Sequence, residues 1–295
     1  MTSMSSSIIF GAVLQLWPYR LFFFGLTIIA LSLISVKGVV KTNQVVITVK
    51  SFGIALLGGQ LLAVIATVIF VVWSLNWQIN PSPTAIENWG GIYWHFYVDS
   101  SFSEIGLSLT VLGVIQASEK ATWSSIGFNR PNISIFLVII VVAALYFALH
   151  FAISPICQNL SKWIFLYFDI HLNQVDGGLD LAKLDVWLLR QIAGHIGAGG
   201  AAVIVLWIGV FTSVIEEVFY RGLLLTALLE RVPVWAAIVG QALLFAAMHM
   251  DFVRLPYLIA LGLILGYLVK RTSSLLPAVL LHIVVNVLSL TTVIA

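Results

Sequence analysis

Charge is what this chain has least of. Asp, Glu, Lys and Arg make up 9% of its 295 residues, against roughly a quarter in soluble domains. So few ionised groups cannot cover a water-facing surface, which excludes a soluble enzyme and a disordered chain. Cysteine is nearly absent too, with Cys157 standing alone. That excludes an internal disulfide and a Cys-rich metal site, and leaves Cys157 as a packing residue. Basic charge is not in excess. Fourteen Lys and Arg stand against twelve Asp and Glu, for a net charge of +2, too small and too scattered for a nucleic-acid partner. Sustained alternation of apolar and polar residues is missing, which argues against a membrane β-barrel.

What remains is grease in long runs. Hydrophobic residues make up 61% of the chain and the mean hydropathy is +1.08. The fold class is therefore all-α, a polytopic membrane helix bundle. A spanning helix needs about 20 apolar residues, and on that scale about eight segments are read. They are 19–36, 51–74, 104–117, 133–153, 191–229, 234–249, 255–269 and 274–294. Residues 8–17, ahead of Pro18, read as a short interfacial helix. The third and seventh segments are short, as expected of tilted or shielded helices. No signal peptide is read at the N-terminus, so insertion is expected to rest on the spans themselves. No internal repeat is visible. The chain divides into N-terminal helices with an interfacial loop, 1–118, and a reactive core, 119–295.

Orientation follows the basic residues. Connection 37–50 holds Lys37, Lys41 and Lys50 and no acid, whereas 76–104 holds Glu87, Asp99 and Glu104 and no base. The first is expected inside and the second outside. Tracing the spans onward puts 119–130, 230–231 and 270–271 inside and a connection 154–190 outside. Eight basic residues then lie inside and five outside. Trp77, Trp89, Tyr93, Trp94 and Tyr97 suit a loop at the membrane interface, and 163–168 is a second aromatic stretch.

Ionisable residues inside spans cost about 2.5–3.5 kcal/mol each on insertion scales, so the few present need a reason. The fifth segment carries Glu216-Glu217-x-x-x-Arg221, the sixth ends Phe245-x-x-x-His249, and the eighth contains His282-x-x-x-Asn286. Glu217 and Arg221 share a helix face four residues apart and can pair; so do His282 and Asn286. Glu216 is turned about 100° away from Glu217, which frees it for chemistry. Counted from the following turns at 1.5 Å per residue, Glu216 and His249 stand roughly 23 and 27 Å deep, and His282 and Asn286 roughly 15 and 21 Å. Modest tilt brings them to one level. A carboxylate beside an imidazole can hold a water and take its proton, and a second imidazole with an amide can donate to an oxyanion. That set suits amide hydrolysis, and no G-x-S-x-G nucleophile motif is present.

These three motifs, in this order on successive apolar segments, resemble the CPBP family of intramembrane proteases, the CAAX-protease and bacteriocin-processing or Abi group. The resemblance covers about 120–295 and takes in Trp123-Ser-Ser-Ile-Gly-Phe-Asn-Arg-Pro; nothing similar is seen in 1–118. It implies an intramembrane endopeptidase with Glu216 as general base, His249 as its partner on the water, and His282 and Asn286 as the oxyanion site. Glu217 and Arg221 would support them. It also implies a multi-pass protein of a bacterial plasma membrane acting on a membrane-associated protein or peptide. No cofactor is required. The alternative is zinc held by Glu216, His249 and His282, against which the H-E-x-x-H spacing is absent. Rival readings are a non-catalytic immunity or binding protein and an ion- or proton-coupled transporter. His95, His150, His171 and His195 read as packing or interfacial residues. Gly262-x-x-x-Gly266 and the glycines of 194–200 read as close-packing sites.

Overall fold

The computed structural model describes residues 123–167, 201–249, 251 and 253–294, with isolated positions 57, 58, 61, 62, 65, 105–109, 113 and 199. Every regular element among them is helical. Five helices carry the argument: α1 Ile135–Tyr167, α2 Ala201–Leu229, α3 Val234–Met248, α4 Leu255–Thr272 and α5 Leu276–Ile294. The first, second and fourth are long and apolar enough to cross a membrane; α3 and, over Leu276–Thr292, α5 are apolar helices just below that length. The expected spans 19–36 and 51–74 lie mostly outside the described residues, as does much of 104–117, which is helical at 105–109 and 113.

Two boundaries differ from the sequence reading. The span expected at 133–153 does not end there. It runs on to Tyr167, so 154–167 is helix and not external connection. Pro155 lies in this stretch, and a proline ring clashes with a carbonyl of the preceding turn and has no N–H. The helix absorbs it by widening. Leu149–Ile153 is a π-helical turn, in which the Ser154 N–H reaches back to the Leu149 carbonyl, and this wider turn lets the helix pass the proline. Trp163 and Tyr167 stack at 5.3 Å on the helix surface. The seventh segment likewise gains a turn, to Thr272, and ends on Ser273 in the left-handed conformation, φ 53°.

Local chemistry sets the other ends. Ser134 caps α1, its Oγ accepting from Leu137 N at 3.2 Å. Arg231 closes the α2–α3 turn by donating to the Ala227 carbonyl and pairing with Glu230 at 3.4 Å. The segment 123–132 folds over the α4–α5 turn. Leu275 N donates to Gly127 O (2.8 Å), Ser274 Oγ to Asn129 O (2.6 Å) and Asn132 N to Thr272 O (3.2 Å). Gly127 is required here. Its φ is +102°, and a Cβ would sit 2.9 Å from Leu275. The Trp123–Pro131 motif therefore clamps the core and lies at the opposite end of the helices from His249.

In lipid, helices associate through packing and polar contacts, because exposing apolar surface to acyl chains is not penalised. The interfaces here follow that rule. Gly262 and Gly266 bring α4 against Ala242 and Gln241 of α3, and Gln241 Nε2 donates to the Gly262 carbonyl at 2.8 Å. Gly209 of α2 lies against Val287 of α5. Of the 194–200 glycines only Gly199 is described, and no described residue lies within 4 Å of a Cβ built there. Cys157 is free and buried and His150 stacks on Tyr146, both as packing residues; His95, His171 and His195 lie outside the described residues.

A Cβ at position 262 would meet Ala242 Cβ at 2.9 Å and Cα at 3.0 Å. Gly262→Ala is therefore expected to destabilise the bundle by about 1–3 kcal/mol through overpacking. Gly240→Ala, whose added carbon would find its nearest neighbour at 3.6 Å, should be near neutral. Thermal unfolding of both variants in detergent checks this; equal midpoints would contradict the packing assignment.

Candidate active site

Polar residues of α2 and α5 meet inside the bundle, and His249 at the end of α3 lies beside them across the Phe245 ring. Ser213–Glu217 is a short α-helical stretch of α2 between two π-helical stretches, Val205–Thr212 and Val218–Leu224. Such widened turns cluster at functional sites. Glu217 and Arg221 remain on one face, and Arg221 Nη1 donates to Glu217 Oε1 at 2.6 Å. The same oxygen accepts from His282 Nδ1 of α5 at 2.8 Å. Glu217 is 0% exposed, and Arg221 and His282 are each 1% exposed. The sequence reading of Glu217–Arg221 as a structural pair omits half of what Glu217 does, since this carboxylate also fixes a histidine of another helix.

Orientation of His282 follows. A carboxylate can only accept, so Nδ1 carries a hydrogen and Nε2 is left pointing away. It points at the other acid, with His282 Nε2 3.6 Å from Glu216 Oε2. Glu216 is buried and its Oε2 has no hydrogen-bond partner among the described residues. Glu217 Oε2 and the Arg221 Nε and Nη2 atoms are unpartnered in the same way. Buried polar atoms are nearly always paired, and these four lie together around the Glu217–Arg221 pair.

His249 caps the C-terminus of α3, and its Nδ1 donates to the Phe245 carbonyl at 2.7 Å. Its Nε2 is thereby left as an acceptor. By solvent exposure it is more open than His282. Phe245 organises this corner. Its ring lies 4.5 Å from that of His249 and 5.8 Å from that of His282. The Arg221 guanidinium sits 4.4 Å from the same ring, a cation–π contact that partly replaces lost hydration.

Asn286, one turn beyond His282, donates through Nδ2 to Ser213 Oγ at 3.0 Å, and that hydroxyl donates to the Gly209 carbonyl at 2.8 Å. Ser213 is fully buried, and no motif in the sequence marks it. Its only signal is its place on α2, one turn before Glu216 and Glu217. Because its one hydrogen is committed to Gly209, it can only accept, which fixes which end of the Asn286 amide faces it. The second Nδ2 hydrogen stays available. Among the described residues, no three His, Cys, Asp or Glu side chains are arranged as a metal-ligand set.

Residues 198–288 match the family described as type II CAAX prenyl endopeptidase, Rce1-like. This stretch is similar to the Rce1-like branch of the CPBP/CAAX-protease family. It spans just under a third of the chain and holds all three motifs, from Glu216 through Asn286, while the 123–131 segment falls outside it. No curated protein and no solved structure matches the chain. The family matched is one of endopeptidases, and α1, α2 and α4 are long and apolar enough to cross a membrane.

Removing Glu217 leaves Arg221 as a buried charge without its counter-ion. Glu217→Ala is expected to cost about 3–5 kcal/mol, and Ser213→Ala about 1 kcal/mol for the hydrogen bonds it takes away. Unfolding of the purified variants in detergent measures both. A Glu217→Ala protein with the unfolding midpoint of the intact chain would contradict this reading of the network.

Proposed function

We propose that the chain is an intramembrane endopeptidase that hydrolyses a peptide bond of a membrane-associated protein or peptide with water activated by Glu216 and His249. The observation that carries this reading is the unpartnered Glu216 Oε2, buried and 3.6 Å from His282 Nε2. A spare carboxylate oxygen inside an apolar bundle is too costly to be idle.

The chemistry follows from which atoms accept and which donate. Glu216 Oε2 and His249 Nε2 are both acceptors, so a water between them directs its two hydrogens at them and a lone pair at the scissile carbonyl carbon. Attack moves one water proton to Glu216 and places a negative charge on the carbonyl oxygen. That oxyanion takes hydrogen bonds from His282 Nε2 and the free Nδ2 hydrogen of Asn286. His282 can donate at Nε2 only with both ring nitrogens protonated, since Nδ1 already serves Glu217. With both glutamates ionised and Arg221 cationic, that second proton brings the cluster to zero net charge. As the intermediate collapses, Glu216 returns its proton to the leaving nitrogen, and the products are a carboxyl and an amino terminus. No covalent intermediate and no metal is used.

The family description names a prenyl endopeptidase; for this chain the proposal is a membrane-associated polypeptide substrate. The same reading takes the whole chain as about eight transmembrane helices in a bacterial plasma membrane. In it, 1–118 supplies the N-terminal helices and 119–295 the protease core.

The test compares membrane-peptide termini in cells carrying the intact chain or Glu216→Ala, with the purified variant assayed on any peptide found. New termini should vanish with Glu216→Ala, His249→Ala and His282→Ala while the protein stays folded, and Asn286→Ala should slow turnover strongly. A Glu216→Ala protein that cleaves at the normal rate would overturn the mechanism. Stoichiometric zinc lost together with activity would favour the metal reading, and ion flux in vesicles that depends on Glu216 would favour a transporter.

A further inference from the structure

The face of α4 turned away from α3 borders a cavity of about 540 Å³ against α1. Val141 and Leu145 line it from α1, Leu263, Ile264 and Leu268 from α4, and Arg271 stands at its end. From Leu263 to Arg271 the groove runs about 12 Å along α4, close to the roughly 15 Å depth of one leaflet's hydrocarbon. Its walls are almost wholly apolar and its end is basic. Arg271 is exposed there, and Lys270, next to it in the chain, is exposed too. The segment that carries Arg130 is tied to the same turn, with Asn129 O accepting from Ser274 and Asn132 N donating to Thr272 O.

These three cations have no acid to answer them among the described residues. The four described acids are committed elsewhere. Glu216 and Glu217 belong to the buried site, Glu230 pairs with Arg231, and Asp251 pairs with Arg254. Lys270 and Arg271 also complement the C-terminal end of the α4 dipole, but that does not account for Arg130, which is not on the helix. The bias of basic residues assigns this end to the cytoplasmic side, where anionic lipids concentrate.

We propose that this groove binds one anionic phospholipid of the bilayer, its phosphate held by Arg130, Lys270 and Arg271 and one acyl chain lying between α1 and α4. Charge complementarity selects the head group and the apolar walls hold the chain. The occupant is a bilayer lipid and not a soluble phosphate, which would leave the apolar walls uncovered. The site sits on the opposite side of α4 from α3, and the proposal does not depend on the catalytic reading.

The test is native mass spectrometry of the full chain released from detergent, titrated with phosphatidylglycerol or with phosphatidylcholine of the same acyl chains. The expected result is retention of one phosphatidylglycerol in preference to phosphatidylcholine. Each basic residue near the surface contributes about fivefold to such binding, so Arg130→Gln/Arg271→Gln should weaken it about 25-fold. Arg271→Lys should retain it, and Val141→Trp, which fills the groove without altering charge, should reduce it. Glycerol phosphate should not compete. Thermal unfolding confirms that each variant is folded, and Arg271→Lys keeps the test decisive if the double variant is not. Equal retention of the two lipids, or intact-chain retention by a folded double variant, would overturn the proposal. Competition by glycerol phosphate alone would overturn the acyl-chain part of it.

Discussion

One carboxylate oxygen ties the reactive helices together. Glu217 Oε1 accepts from Arg221 on its own helix and from His282 across the bundle, and all three side chains are sealed from solvent. A lone charge in such a place is strongly unfavourable, so the three groups are stable only as a set. The consequence is geometric. The bond to Nδ1 removes the freedom of the His282 ring and turns Nε2 toward Glu216. The first acid of the Glu-Glu pair meets the histidine only because the second acid holds it.

Packing makes that arrangement possible in a medium that offers no hydrophobic drive for helix association. Gly262 and Gly266 let α3 and α4 approach until a glutamine side chain bridges them, and Gly209 does the same for α2 and α5. Phe245 then fills the space between the two imidazoles and the guanidinium with one ring. At the other end the 123–132 segment straps the α4–α5 turn through four hydrogen bonds to backbone carbonyls. His282 and Asn286 are thus presented from a helix anchored at its start.

Much of this is legible in the amino-acid sequence. Apolar run lengths mark the end of α2 and both ends of α3 and α5 nearly to the residue, since few polar residues interrupt them. The i,i+4 spacing marks the Glu217–Arg221 pair. Depth counting places Glu216, His249 and His282 within about 12 Å of one another along the helices, a spread that tilt can absorb. Which faces turn toward each other is not written there, because a helical wheel has no reference direction in a bundle of greasy helices. Hence the bond from His282 to Glu217 emerges only from the packed bundle, and Ser213 has no motif to mark it. The continuation of α1 past Pro155 is hidden for another reason. Proline reads as a stop, and the π-helical turn that cancels it leaves no pattern in composition.

The arrangement of the site rests on coupling between Glu217 and His282 across two helices. A double-mutant cycle on unfolding in detergent, using Glu217→Gln, His282→Asn and the pair, measures it directly. Contacting groups in one buried network couple by about 0.5–3 kcal/mol, and a value in the upper half of that range is predicted here. Additive effects of the two substitutions would show that the histidine is not held by this carboxylate, and the arrangement of the site would have to be abandoned.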